Sequence, residues 1–261
     1  MPVFLLSENE TAFPPPHLAR SDGLLALGGD LSPSRLLEAY RRGIFPWYLP
    51  GEPILWWSPD PRLVLFPDEI HVARRLKRII RQGRFVVTVD RSFAEVVGAC
   101  AATLRGTETG TWIIPDMIEA YVGLHHRGYA HSVEVWQGGE LAGGLYGVSL
   151  GRAFFGESMF SRADNASKVG LVCLVEALVR QGFSIIDCQV TTAHLLQFGA
   201  REICRSRFLA ELEEACQART LCGKWLLQDN RISCQPNSDN PYISKPGLSG
   251  PDLEERLNHD R

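Results

Sequence analysis

The chain is expected to adopt an α+β fold with a mixed sheet, and three features of the sequence predict it. Between His131 and Glu157, alternating or apolar runs are separated by glycine turns, the pattern of an antiparallel meander. A run with helical spacing follows over residues 165–181. A short apolar stretch bounded by Gly182 then covers 184–190 and reads as a buried strand. With 261 residues, 45% hydrophobic and 22% charged, the chain can bury a full core in one large or two small domains.

The N-terminal segment is dense in turns and aromatics. Phe13-Pro14-Pro15-Pro16 is extended, and Gly23 to Leu31 leads to a helix start at which Ser32 can cap and Pro33 fits the first position. Leu36, Leu37 and Tyr40 give that helix an apolar stripe before Gly43 ends it. Three of the six tryptophans (Trp47, Trp56 and Trp57) then fall in a Pro-rich stretch expected to be loop. They suit packing onto a neighbouring domain first, and after that the wall of an adenosine-sized pocket, because aromatic faces accept bases.

Residues 71–84 hold the one strong charge cluster. Val72, Leu76, Ile79 and Ile80 mark one face of an amphipathic helix. Arg74, Arg75, Lys77, Arg78, Arg81 and Arg84 make the rest cationic, with no acid among them. Either a solvated face or a phosphate-binding surface fits this pattern. Further on, 85–89 reads as a strand, 93–104 as a helix, 106–112 as a loop and 115–128 as a second helix. His125, His126 and His131 lack the spacing and companions of a metal site.

The meander comes next, with Gly138-Gly139 as its hairpin turn and Gly151 turning into the strand that ends at Glu157. The crossover helix, expected to be capped by Asn165, should lay the 184–190 strand parallel to 153–157. Residues two apart on a strand share a face, so Asp187 and Gln189 point together and Cys188 points away. A carboxylate and an amide projecting from an apolar strand need partners or a use. A structural pair and a functional pair both satisfy that requirement. The same applies to Glu157 among Phe154, Phe155, Met159 and Phe160, at the C-terminal ends of adjacent strands where ligands commonly bind. After them, 191–198 and 207–217 read as helical. From Gln235 the composition is that of a flexible polar tail.

Composition limits the function classes. A net charge of −3 leaves only local room for nucleic-acid contact. Seven cysteines without a CxxC pair favour a reducing cytosol over a disulfide framework or a zinc site. No apolar run is long enough to span a bilayer, and Met1-Pro2-Val3 begins no export signal. A soluble, cytoplasmic protein without membrane partners is the expectation.

Taken together, the motifs Leu24-Leu25-Ala26-Leu27-Gly28-Gly29-Asp30-Leu31, Gly43-Ile44-Phe45-Pro46-Trp47, Trp56-Trp57-Ser58-Pro59, Gly110-Thr111-Trp112, Gly156-Glu157-Ser158-Met159-Phe160-Ser161 and Asp187-Cys188-Gln189 resemble the bacterial leucyl/phenylalanyl-tRNA–protein transferase family. The resemblance runs in order to about Trp225. It implies a small N-terminal domain (1–62) on a catalytic domain of the GNAT acetyltransferase type (63–230), with the flexible tail (231–261) having no counterpart. The implied reaction moves Leu or Phe from Leu-tRNA or Phe-tRNA onto proteins with N-terminal Arg or Lys, marking them for degradation, with no cofactor or metal. By position, Asp187 and Gln189 match the family's catalytic pair, and Glu157 matches the acid that meets the amino group of the transferred residue. Trp47 and Trp112 match aromatics beside the terminal adenosine, and Met159 and Ile186 match the side-chain pocket. Leu145, Leu174 and Leu178 occupy sites resembling further pocket positions, in place of a Met or Phe. The cluster from Arg74 to Arg84 lies where the family binds the acceptor stem.

This chemistry is consistent with the residues. The donor ester is already activated, so aminolysis needs chiefly positioning and a route for a proton. Gln189 is not basic, so its carbonyl oxygen is expected to hold the attacking N–H while Asp187 orients it. An acetyl-CoA-dependent transferase would need a Gly-rich phosphate loop before the 165–181 helix, which is missing. A hydrolase built on Cys188 and His194 is disfavoured by Cys188 facing the other side of the sheet. A non-catalytic RNA-binding module would leave Glu157 and Asp187 without a role.

Overall fold

The computed structural model describes residues 3–103, 113–228 and, for the backbone alone, 231–235. Trp112 with its loop and the polar tail beyond Gln235 lie outside the described residues. Strands β1 (Phe4–Leu6) and β2 (Leu24–Gly28) open the chain. Helix α1 (Pro33–Arg41) follows, its first turn capped by the Ser32 hydroxyl accepting the Arg35 N–H. The tryptophan-rich stretch, expected as loop, instead contains β3 (Phe45–Pro46) and β4 (Leu55–Trp57). Burial of Phe45 and Trp56 draws it into a four-stranded sheet of order β1-β2-β4-β3.

The larger sheet starts with β5 (Arg62–Leu65), and α2 (Arg74–Arg81) is the basic helix. Next come β6 (Val86–Val89), α3 (Phe93–Ala101) and α4 (Pro115–His126). The meander is β7 (Ala130–Gln137), β8 (Glu140–Leu150) and β9 (Ala153–Ser161). Helix α5 (Ala166–Arg180) crosses over to β10 (Ile185–Gln189), which pairs parallel to β9 with Ile185 beside Ala153 and Asp187 beside Phe155. The expected cap at Asn165 is different in detail. Asn165 takes a left-handed φ of 69° and makes no side-chain cap, and the Ser161 hydroxyl accepts the Ser167 N–H instead. Of the helix expected over 191–198, only one turn forms, α6 (Ala193–Leu196). The chain then adds β11 (Arg201–Ile203), α7 (Arg205–Cys216) and β12 (Lys224–Gln228), which pairs antiparallel with β13 (Arg231–Gln235), so the first five residues of the expected tail (231–261) are instead held as a strand by backbone pairing to β12.

Among the described residues the large sheet has the order β11-β5-β10-β9-β8-β7-β6. One face is covered by α1, α3, α4 and α7, in a core shared with the small sheet. The other is covered by α5, with Leu76 of α2 and Trp225. No helix among the described residues is long and apolar enough to cross a membrane.

Candidate active site

The site forms where β9 and β10 stop running together. Their parallel register ends at Asp187 beside Phe155, and irregularities sit on both strands just beyond. On β9, Gly147 of β8 pairs with Gly156 while Tyr146 pairs with Ser158, which leaves Glu157 as the extra, bulged residue. Gly147 is required there. A Cβ at this position would lie 2.2 Å from the Phe155 carbonyl oxygen. On β10, Asp187 pairs with Val64 of β5 but Gln189 with Leu63, and Gln189 takes a left-handed φ of 61°. Each bulge re-aims one polar side chain toward the gap between the strands.

Three donors meet at Glu157, which is 8% exposed. Oε1 accepts from the Tyr40 hydroxyl at 2.8 Å and from Gln189 Nε2 at 2.9 Å, and Oε2 accepts from the Tyr121 hydroxyl at 2.6 Å. The two hydroxyls also lie 2.6 Å from each other. Two hydroxyl hydrogens cannot serve all three of these short oxygen contacts, so the cluster has a place for one more proton. Burial is the largest influence on the Glu157 carboxyl and raises it to about 7, in part offset by the tyrosine and Gln189 hydrogen bonds. No cation is among its hydrogen-bond partners. Tyr40 and Tyr121 are both pushed well above an ordinary phenol, first by burial and then by the Glu157 charge. With Nε2 committed to Glu157, the Gln189 carbonyl oxygen is directed away from that carboxylate.

Asp187 is held differently. Arg62 Nε donates to Oδ1 at 2.8 Å and Arg62 Nη2 to Oδ2 at 2.6 Å, with both side chains 1% exposed. The Gln189 backbone N–H completes the shell, donating to Oδ1 at 2.9 Å. Asp187 therefore touches the main chain of Gln189, not its side-chain amide. The guanidinium lies over the rings of Phe45 and Phe208, at 4.8 and 4.6 Å. Cys188 packs into the opposite core, and burial pushes its thiol well up, an inert cysteine.

The five apolar residues expected to form one pocket do come together. Leu145, Leu174, Leu178, Ile186 and Met159 share the cluster beneath α5, with Leu145 paired to Met159 across the β8–β9 ladder. Trp47 is 43% exposed, its carbonyl accepting the Trp57 indole N–H at 2.6 Å. Arg74, Arg75, Lys77, Arg78, Arg81 and Arg84 are all exposed, and among the described residues none makes an ion pair. No group of three His, Cys, Asp or Glu side chains among the described residues is placed to hold a metal ion. Sequence reasoning missed Arg62, Tyr40 and Tyr121. The signal was indirect: a buried Asp and a buried Glu each demand partners.

Comparisons with known proteins agree on one family. The family model described as leucyl/phenylalanyl-tRNA protein transferase matches residues 64–213, and the model of that family's N-terminal domain matches 29–60. A leucyl/phenylalanyl-tRNA–protein transferase of Solidesulfovibrio magneticus is 57% identical over 94% of this chain and 100% of its own length. One from an Anaeromyxobacter species is 61% identical over 83% and 92%. Among solved structures, a GCN5-related N-acetyltransferase from Kribbella flavida is 11% identical over 65% of this chain and 60% of its own, with a TM-score of 0.33, too distant to add to the fold described above. On identity at this level over nearly the whole length, the chain belongs to the leucyl/phenylalanyl-tRNA–protein transferase family.

Proposed function

We propose that the chain transfers Leu or Phe from aminoacyl-tRNA to the α-amino group of proteins that begin with Arg or Lys, tagging them for degradation. The observation that carries this reading is the joined pair of Glu157 and Gln189 at the gap between β9 and β10, with a carboxylate that lacks a cation of its own. In this reading the α-amino group of the transferred residue meets Glu157. Its side chain enters the cluster of Leu145, Met159, Leu174, Leu178 and Ile186. Trp47 and Trp112 flank the terminal adenosine, and the six cations of the basic segment follow the acceptor-stem phosphates.

The acceptor's neutral amine, a usable minority near pH 7, attacks the ester carbonyl carbon, forming the C–N bond. Gln189 offers its carbonyl oxygen to the attacking N–H and so sets the angle of approach. Collapse of the tetrahedral intermediate breaks the bond from carbonyl carbon to ribose oxygen. The proton lost by the new amide nitrogen balances the one gained by the departing ribose hydroxyl. Glu157, raised to about 7, is suited to exchange a proton along this route.

We assign residues 1–62 to a small domain that supplies Tyr40, Phe45 and Trp47, and 63–230 to the catalytic domain, which the paired strand β13 carries on to Gln235. A reducing cytoplasm is the fitting compartment for a chain of seven cysteines, an odd number arranged without a CxxC pair. The deciding experiment incubates the protein with radiolabelled Leu-tRNA or Phe-tRNA and a protein beginning with Arg. Label stable to base at the acceptor's N-terminus is expected, and none when that N-terminus is acetylated. Release of free Leu alone, or labelling of internal lysines, would contradict the reading.

A further inference from the structure

Arg62 is a buried, ion-paired cation that the transfer chemistry described above does not use. It stands at the first residue of β5, where a non-local pairing brings it beneath Asp187, more than a hundred residues later in the chain. One edge of the guanidinium is used in full, Nε and Nη2 each donating to a carboxylate oxygen, and the group lies over the rings of Phe45 and Phe208. A guanidinium in this setting has almost no freedom to turn. Asp187 is fixed in consequence, and its Oδ1 is aimed at the backbone N–H of Gln189.

That hydrogen bond is made to a residue whose backbone is costly. Gln189 sits at φ 61°, a conformation that a non-glycine residue holds only when its surroundings over-determine it. The same conformation carries its side chain across the gap to Glu157. The pieces form a chain of cause: Arg62 clamps Asp187, Asp187 holds the Gln189 amide in the left-handed region, and the left-handed turn delivers the Gln189 side chain to the reacting position. All three carboxylate contacts at Asp187 are N–H donors, two from Arg62 and one from the Gln189 backbone, and none is the Gln189 side chain. This leaves Asp187 an anchor.

We propose that Arg62 is a positioning residue for aminoacyl transfer, acting on the reaction through Asp187 and the backbone of Gln189. The inference rests on the reading of Gln189 given above, and the test separates the two. Single-turnover transfer from saturating Leu-tRNA is measured for Arg62→Lys, Gln189→Ala and the double variant, with KM for Leu-tRNA alongside. Lysine keeps the charge but not the two-pronged geometry. Arg62→Lys is expected to lower kcat at least tenfold with KM changed by less than twofold, and to cost less than a further twofold in the Gln189→Ala background. Wild-type kcat in Arg62→Lys, or the full loss repeated in the Gln189→Ala background, would overturn the proposal. A wild-type rate in Gln189→Ala alone would instead remove the assignment of Gln189, before Arg62 enters. Should Arg62→Lys not fold, the Arg62→Met, Asp187→Met double variant replaces the buried pair by apolar volume. Folded but slow, it upholds positioning; folded and fully active, it overturns it.

Discussion

Two buried carboxylates stand on neighbouring parallel strands and are treated in opposite ways. Asp187 on β10 has a guanidinium locked onto both oxygens. Glu157 on β9 has two phenols and an amide, all neutral. An anion paired inside the chain is finished business, and removing its partner is severe while its presence adds little net stability. An anion buried among neutral donors is left wanting either a proton or a positive charge from outside. The difference separates an anchor from a group that meets substrate, although both residues look alike in sequence.

Breaking the anchor should have the largest effect. Asp187→Ala strands the Arg62 charge in the core and is expected to cost about 3–5 kcal/mol of stability in a denaturant titration. Only a small loss would mean that the guanidinium finds water, and the contrast between the two carboxylates would weaken.

The other carboxylate should respond to pH. The folded Glu157 carboxyl, at about 7, lies above its ordinary value of 4.5, so the folded state holds the proton more tightly. Its stabilising contribution is complete below about pH 4.5 and disappears as pH rises through 7. Glu157→Gln cannot ionise. Its stability relative to wild type should therefore improve by roughly 3 kcal/mol between pH 4.5 and 8, even as transfer from Leu-tRNA falls. A constant difference across that range would show that Glu157 does not titrate there.

Tyr121→Phe removes one donor, with an expected cost of about 1 kcal/mol, and should raise the Glu157 carboxyl further, seen as an upward move in the acid limb of the transfer rate. Reversing charge at Arg74, Arg78 and Arg81 should change stability least, within about 0.5 kcal/mol, because these side chains are exposed. It should weaken tRNA binding and flatten its dependence on salt. An unchanged salt slope would make the helix a solvated face.

Local signals in the sequence were enough for much of this architecture. Ser32-Pro33 marked α1, Gly138-Gly139 marked the β7–β8 hairpin, and the crossover to a parallel β10 followed from element order. Asp187, Gln189 and Glu157 stood out because polar groups in apolar strands need a reason. Their partners did not stand out. Arg62 reads as an ordinary residue at the start of a strand, and its pairing with Asp187 depends on β5 inserting between β10 and β11, which no local pattern encodes. Tyr40 and Tyr121 sit at helical core spacing, where an aromatic is expected for its ring, and their hydroxyls meet Glu157 only once α1 and α4 pack together. The two bulges were equally hidden, since a strand's period of two gives no sign of where one extra residue enters.

A carbon-13 NMR titration of the Glu157 carboxyl in protein labelled at glutamate, with Glu157→Gln supplying the assignment, tests the contrast between the two carboxylates at its source. A single transition near pH 7, absent from the variant, is the expected result. A Glu157 carboxyl titrating in the ordinary range, near 4.5, would mean that the site already supplies the missing charge, and the distinction between anchor and substrate-facing acid would not stand.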